Sequence, residues 1–137
     1  MIVFLAISGW LARYLSNENA ERNQIVALLE AQTAGDARAM LGDLPGCAAT
    51  PSCAAVVRVN ASTLQGRGSV KILALSSPTA YALTDSEGQT RVAWKQGARL
   101  PVVQCVLVRR RGSAITGLRV TLRRIGAPIA GTADCPS

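Results

Sequence analysis

Four cysteines, eight carboxylates and no histidine set the chemistry open to this chain of 137 residues. Without histidine the commonest general base and the commonest zinc ligand are both missing, so neither a Ser-His-Asp nor a Cys-His arrangement can form within the chain. Cys47 and Cys53 flank the segment AATPS, Cys105 and Cys135 lie far apart, and no pair has C-x-x-C spacing. That spacing matches neither a zinc knuckle nor a thioredoxin-like motif. Four cysteines allow three pairings. The expected one joins Cys47 to Cys53, closing a tight loop between two helices, and Cys105 to Cys135, pinning the C-terminal tail to a strand. The alternative is four reduced, buried thiols in a cytosolic protein; disulfides would place the domain in an oxidising, extracytoplasmic compartment.

The carboxylates are better explained locally than catalytically. Asp85 and Glu87 stand in a turn beside Gly88, Asp36 is placed to cap a helix, and Asp43 ends one before Pro45. The glycine-containing segment QGRGS lacks the lysine spacing of a phosphate loop, and nothing clusters carboxylates with cysteines for a metal. No catalytic residue, metal or cofactor is therefore expected. Arginine outnumbers lysine thirteen to two, a bias that suits a GC-rich bacterial genome more than a selected chemistry. The net charge of +7 is uneven: residues 58–125 hold twelve basic groups against Asp85 and Glu87. Such a field attracts nucleic acid, anionic lipid or an acidic partner, and also serves solubility. Nucleic acid is not expected, because no aromatic residue is interleaved with the arginines.

The first 16 residues form an apolar segment, MIVFLAISGWLARYLS, with a single charge at Arg13. A spanning helix needs about 20 apolar residues and this run has roughly half of that. A membrane anchor whose beginning is missing, a secretory signal and an amphipathic helix on the core all compete. The anchor is favoured because eleven uncharged, mostly bulky residues suit no one-faced soluble helix. A single α+β domain is expected over residues 17–137.

Within it, a helix from Asn17 or Asn19 carries Ile25, Leu28 and Leu29 and ends at Gly35. Asp36 caps a second helix, ARAMLGDL, and Thr50 with Pro51 opens a third, TPSCAAVVRVNASTL. After QGRG the period becomes two. SVKILALS, TAYALT, QTRVAWK, PVVQCVLVRRR and AITGLRVTLRRI are successive strand candidates. This order makes an antiparallel meander of four or five strands, curved, with helices on one face.

If Gly112-Ser113 centres the last hairpin, Cys105 opposes Val120, Leu107 opposes Leu118 and Val103 opposes Leu122, an apolar core face. The other face then mixes Val102, Val106 and Arg110 with Ile115, Arg119 and Arg123. Val102, Val106, Arg110, Arg119 and Arg123 are the candidate partner face. It would be covered by another protein, an envelope complex or a second copy of the chain, or be wet with arginine stems over valine.

A long N-terminal helix, two shorter ones around AGDARAMLGDL and an antiparallel sheet together resemble the cystatin-like, nuclear-transport-factor-two-like fold over residues 18–125. More narrowly, the chain is similar to small membrane-tethered actinobacterial proteins of unknown function that hold such a domain outside the membrane. The resemblance implies a cell-membrane protein with one pass and an extracytoplasmic domain. The fold hosts isomerases, dehydratases and scaffolds, so likeness alone names no activity. The expected function is a non-enzymatic interaction or envelope-complex accessory module. The alternatives are a lipid-like ligand pocket between helices and sheet, lined by Leu28, Met40, Val57, Tyr81 and Trp94, and an isomerase or hydratase with a carboxylate or tyrosine aimed into it.

Overall fold

The computed structural model describes residues 1–78, 85–113 and 117–136. Three helices, α1 (Ile2–Thr33), α2 (Ala37–Asp43) and α3 (Pro51–Thr63), precede four strands, β1 (Val70–Ser76), β2 (Ser86–Gln96), β3 (Val102–Ser113) and β4 (Gly117–Ile125). The strands pair in chain order as an antiparallel meander with the helices packed on it, an α+β architecture. The strand expected at TAYALT, residues 79–84, lies outside the described residues.

α1 runs unbroken from the apolar segment into the domain, where the sequence suggests a fresh start near residue 17. Its buried positions are Glu21, Ile25, Leu28, Leu29, Gln32 and Thr33, a stripe at helical spacing that faces the sheet. Gly35, at φ +72°, stops it in a left-handed conformation costly for any residue with a Cβ. Asp36 then caps α2, its Oδ1 accepting the Ala39 N–H at 3.0 Å. α3 starts at Thr50-Pro51 as the sequence indicates. The Thr50 hydroxyl, however, donates to the Gly46 carbonyl instead of capping the helix.

Ile25, Leu28, Met40, Leu44, Val57, Val92, Trp94, Val106, Val108 and Leu122 belong to one core between helices and sheet. Two register shifts keep the sheet's apolar side turned inward. In β1 the pairings Ile72 with Trp94 and Ala74 with Ala93 leave Leu73 as an extra, exposed residue. In β4 the pairings Leu107 with Arg124 and Val108 with Leu122 leave Arg123 extra, so Leu122 and Ile125 both reach the core. An inserted residue shifts the two-residue alternation by one, and so keeps apolar side chains of unequal spacing on one face.

The expected register of the β3–β4 hairpin is overturned. Arg110 pairs with Val120 and Ser113 with Gly117, so the connection is residues 114–116 instead of Gly112-Ser113. The shift is odd, which exchanges the faces of β3 relative to β4. Val106, Val108 and Arg110 therefore point into the core, whereas Cys105 and Leu107 lie on the opposite side.

Both disulfides are present as the spacing suggests: Cys47 with Cys53 and Cys105 with Cys135. The second ties down the C-terminal tail, which also bridges Ile129 to Val103, its N–H donating to the Val103 carbonyl at 2.8 Å. Arg91 donates through Nε to the Ala133 carbonyl at 3.0 Å. Middle residues of β3, from Val103 to Val106, are thus buried on both faces, by α1 on one side and the tail on the other.

Candidate functional site

The residues singled out in the sequence separate into three settings. Leu28, Met40, Val57 and Trp94 are buried members of one packed core, and so fill the interior where a ligand pocket is expected. Tyr81 lies outside the described residues. Of the expected partner face, Val106 and Arg110 are buried, Val102 packs partly against the core, Arg123 is the half-buried extra residue of β4, and Arg119 is exposed. They do not form one surface. The physical reason is the odd shift of register, which sends the β3 members inward. Ile115 lies outside the described residues.

Sequence reasoning passed over the partner that lets Arg110 enter the core. Glu21, on the inner stripe of α1, forms an ion pair with the Arg110 guanidinium, each side chain no more than 2% exposed. Thr90 Oγ1 donates to Glu21 Oε1 at 2.9 Å, and the Ser77 hydroxyl lies 3.5 Å from Oε2. Both carboxylate oxygens are thereby engaged between helix and sheet. An isomerase or hydratase of this architecture would need a carboxylate or tyrosine open to substrate in that place; Glu21 is closed off by its partners, and Tyr81 lies outside the described residues. Its one sequence signal is its position four residues before Ile25, in phase with the apolar stripe.

A second polar group sits at the other end of the stripe. Gln32 and Gln104 exchange amide hydrogen bonds of 2.9 and 3.0 Å, and Trp94 Nε1 donates to Gln104 Oε1 at 2.8 Å. Gln104 Nε2 and Asn60 Nδ2 both donate to the Gly126 carbonyl at 3.0 Å, linking helix α3 and the start of the tail to this pair. The paired amides of Gln32 and Gln104 hold one register of helix against sheet, because any slip would strand several donors without water.

Two exposed regions remain. The first is the outer sheet face beyond the tail. Three clefts, of about 510, 330 and 590 Å³, meet at Arg124. The 330 Å³ cleft sets Arg109, Arg123 and Arg124 beside Glu87, Thr50 and the Cys47–Cys53 loop. Glu87 is directly opposite Arg109 across β2 and β3 and offsets part of its charge. Arg109 and Arg123 are half-buried and Arg124 is exposed, so the cleft can hold an acidic side chain.

The second region is the N-terminal part of α1, residues 2–12. Ile2, Val3, Phe4, Leu5, Ile7, Trp10 and Leu11 are all exposed. At 100° per residue they surround the helix instead of lining one face, so no single groove could cover them. A helix apolar all round requires an apolar medium or a closed shell of protein. No helix among the described residues is long and apolar enough to cross a membrane, and the spanning helix expected from the sequence is not found. Eleven residues of helix extend only about 16 Å.

Among the described residues no group of cysteines and carboxylates could hold a metal ion. No protein-family model matches the chain, and neither a curated protein nor a solved structure is found similar to it.

Proposed function

We propose that the chain is a membrane-tethered, extracytoplasmic accessory domain. It holds a disulfide-stapled α+β body at the lipid surface and presents its outer sheet face to a partner protein of an envelope complex. One observation carries the reading: an uncharged helical tip, apolar on every side, projects from a body whose own core is closed. Lipid is the medium that can surround such a tip on all sides at once. The two disulfides support an oxidising side of the membrane. The helices packed on a meander support the likeness to membrane-tethered domains of the cystatin-like kind. The clefts around Arg124 are the partner surface this reading favours, and an acidic segment is the partner their charge fits.

Membrane fractionation tests the tether. Replacing Leu5 and Ile7 together by Asp introduces two charges at lipid depth, each costing about 2.5 kcal/mol. The expected result is a partition into membranes lowered by about four-thousandfold, with the domain's thermal unfolding unchanged. Far-ultraviolet circular dichroism of the double variant should match that of the parent chain, which separates release from loss of helix. Equal membrane partition of the double variant and the parent chain would refute the tether.

A further inference from the structure

The contacts of α1 give its direction on the sheet. Glu21 meets Arg110 and Gln32 meets Gln104, so α1 runs antiparallel to β3, with roughly 16 Å of helix alongside about 20 Å of strand between the two contacts. Toward the N-terminus of α1, therefore, β3 proceeds toward its hairpin. From Arg110 to Ser113, where β3 ends opposite Gly117, the strand advances about 10 Å further. The same distance along α1 is about seven residues of helix, which places the end of the hairpin at the level of residue 14. The uncharged apolar run ends two residues before that, at Ala12.

That end of the hairpin is basic in an unusual way. Arg111 and Arg119 are directly opposite each other and both exposed. Like charges across an antiparallel pair repel, and an isolated domain gains nothing from the arrangement. Arg109, one position further back on the same face, is opposite Glu87. Asp85 also stands at this end, its Oδ1 accepting the Gly112 N–H at 2.6 Å. Asp85 keeps its charge when it accepts the amide, and Glu87 faces Arg109, so Arg111 and Arg119 together outweigh Asp85 and leave this end net positive. Ala114, Ile115 and Thr116, which join the strands in sequence, add no charge.

We infer that the β3–β4 hairpin is a second membrane contact, with Arg111 and Arg119 binding the phosphates of anionic lipid headgroups at the depth where the apolar tip enters. A phosphate between the two guanidiniums removes their mutual repulsion and gives each a charge-assisted hydrogen bond. The inference rests on the tether reading for its geometry. Two attachments, one apolar and one electrostatic, also fix the rotation of the body about α1, and so the direction in which the Arg124 clefts face.

The test uses the full chain and vesicles of phosphatidylcholine alone or mixed with phosphatidylglycerol. The parent chain should partition into phosphatidylcholine through its tip, and phosphatidylglycerol should strengthen that partition. In Arg111→Ser with Arg119→Ser the phosphatidylcholine value should be unchanged and the phosphatidylglycerol value about thirtyfold lower, at roughly fivefold per arginine. High salt should shrink the difference. Both positions are exposed, and coincident thermal unfolding would confirm an intact fold. An equal phosphatidylglycerol gain in variant and parent, or no gain in either, overturns the inference. Failure of the parent chain to enter phosphatidylcholine vesicles overturns the tether instead, while an arginine-dependent gain with phosphatidylglycerol would still uphold the hairpin contact.

Discussion

Arg110→Met is expected to lower the free energy of unfolding by about 3–5 kcal/mol, because it leaves the Glu21 carboxylate buried without its cation. The side chain it replaces is 1% exposed and bound to Glu21 between α1 and the sheet. Methionine has the length to fill the space, so the loss would report charge and hydrogen bonding more than a cavity. Glu21→Met alone should cost a similar amount, since it removes the carboxylate from the buried guanidinium and leaves the Thr90 hydroxyl without its acceptor. The informative measurement is the double variant in urea unfolding. An apolar pair in place of a buried ion pair is often neutral or better, so most of the loss should be recovered, less about 1 kcal/mol for the stranded Thr90 hydroxyl. Additive losses in the double variant would show that the two residues stabilise the protein independently and that the ion pair does not couple them.

Replacing Cys105 and Cys135 together by serine should cost about 3.5 kcal/mol on the chain-entropy model, since that disulfide closes a loop with a sequence separation of 30. The melting temperature should fall on the order of 10–15 °C for a domain of this size. The bond also holds the tail over the outer side of β3, where Ile129 pairs with Val103 and Arg91 reaches the Ala133 carbonyl. Hydrogen exchange should therefore accelerate first at the Ile129 amide and at the Gly126 amide, which donates to the Cys105 carbonyl. The tighter Cys47–Cys53 loop, with a separation of 6, should contribute only about 2 kcal/mol. A tail that stays protected after the Cys105–Cys135 bond is removed would show that Ile129 and Arg91 suffice to seat it.

These two expectations mark the boundary of what the chain shows on its face. The helices were legible because their stops and caps are local: Gly35 with its left-handed φ, Asp36 bonding three residues ahead, and Pro51 at a first helical position. The strands were legible as alternation, and the cysteine pairing as loop length. The partner face was not. Apolar Val103, Cys105 and Leu107 read as the core side of β3 and Arg110 as part of the outer side, and Gln104 drew no reading. Gln104 and Arg110 are satisfied inside by Gln32 and Glu21, which lie 72 and 89 residues away in the chain. No local pattern announces such a partnership.

Sequence alone determined the class of elements, their order, the disulfide framework, the absence of histidine chemistry and the uncharged apolar tip. Each of these follows from composition, from cysteine spacing or from patterns a few residues long. Tertiary structure decided the hairpin register, the inward turn of Arg110, the filling of the expected pocket by Leu28, Met40, Val57 and Trp94, and the pairing of Arg111 with Arg119. The reason is parity. A strand offers two faces that differ by one residue of register, and the choice between them is made by long-range polar partners and by two extra residues, Leu73 and Arg123, that shift the alternation.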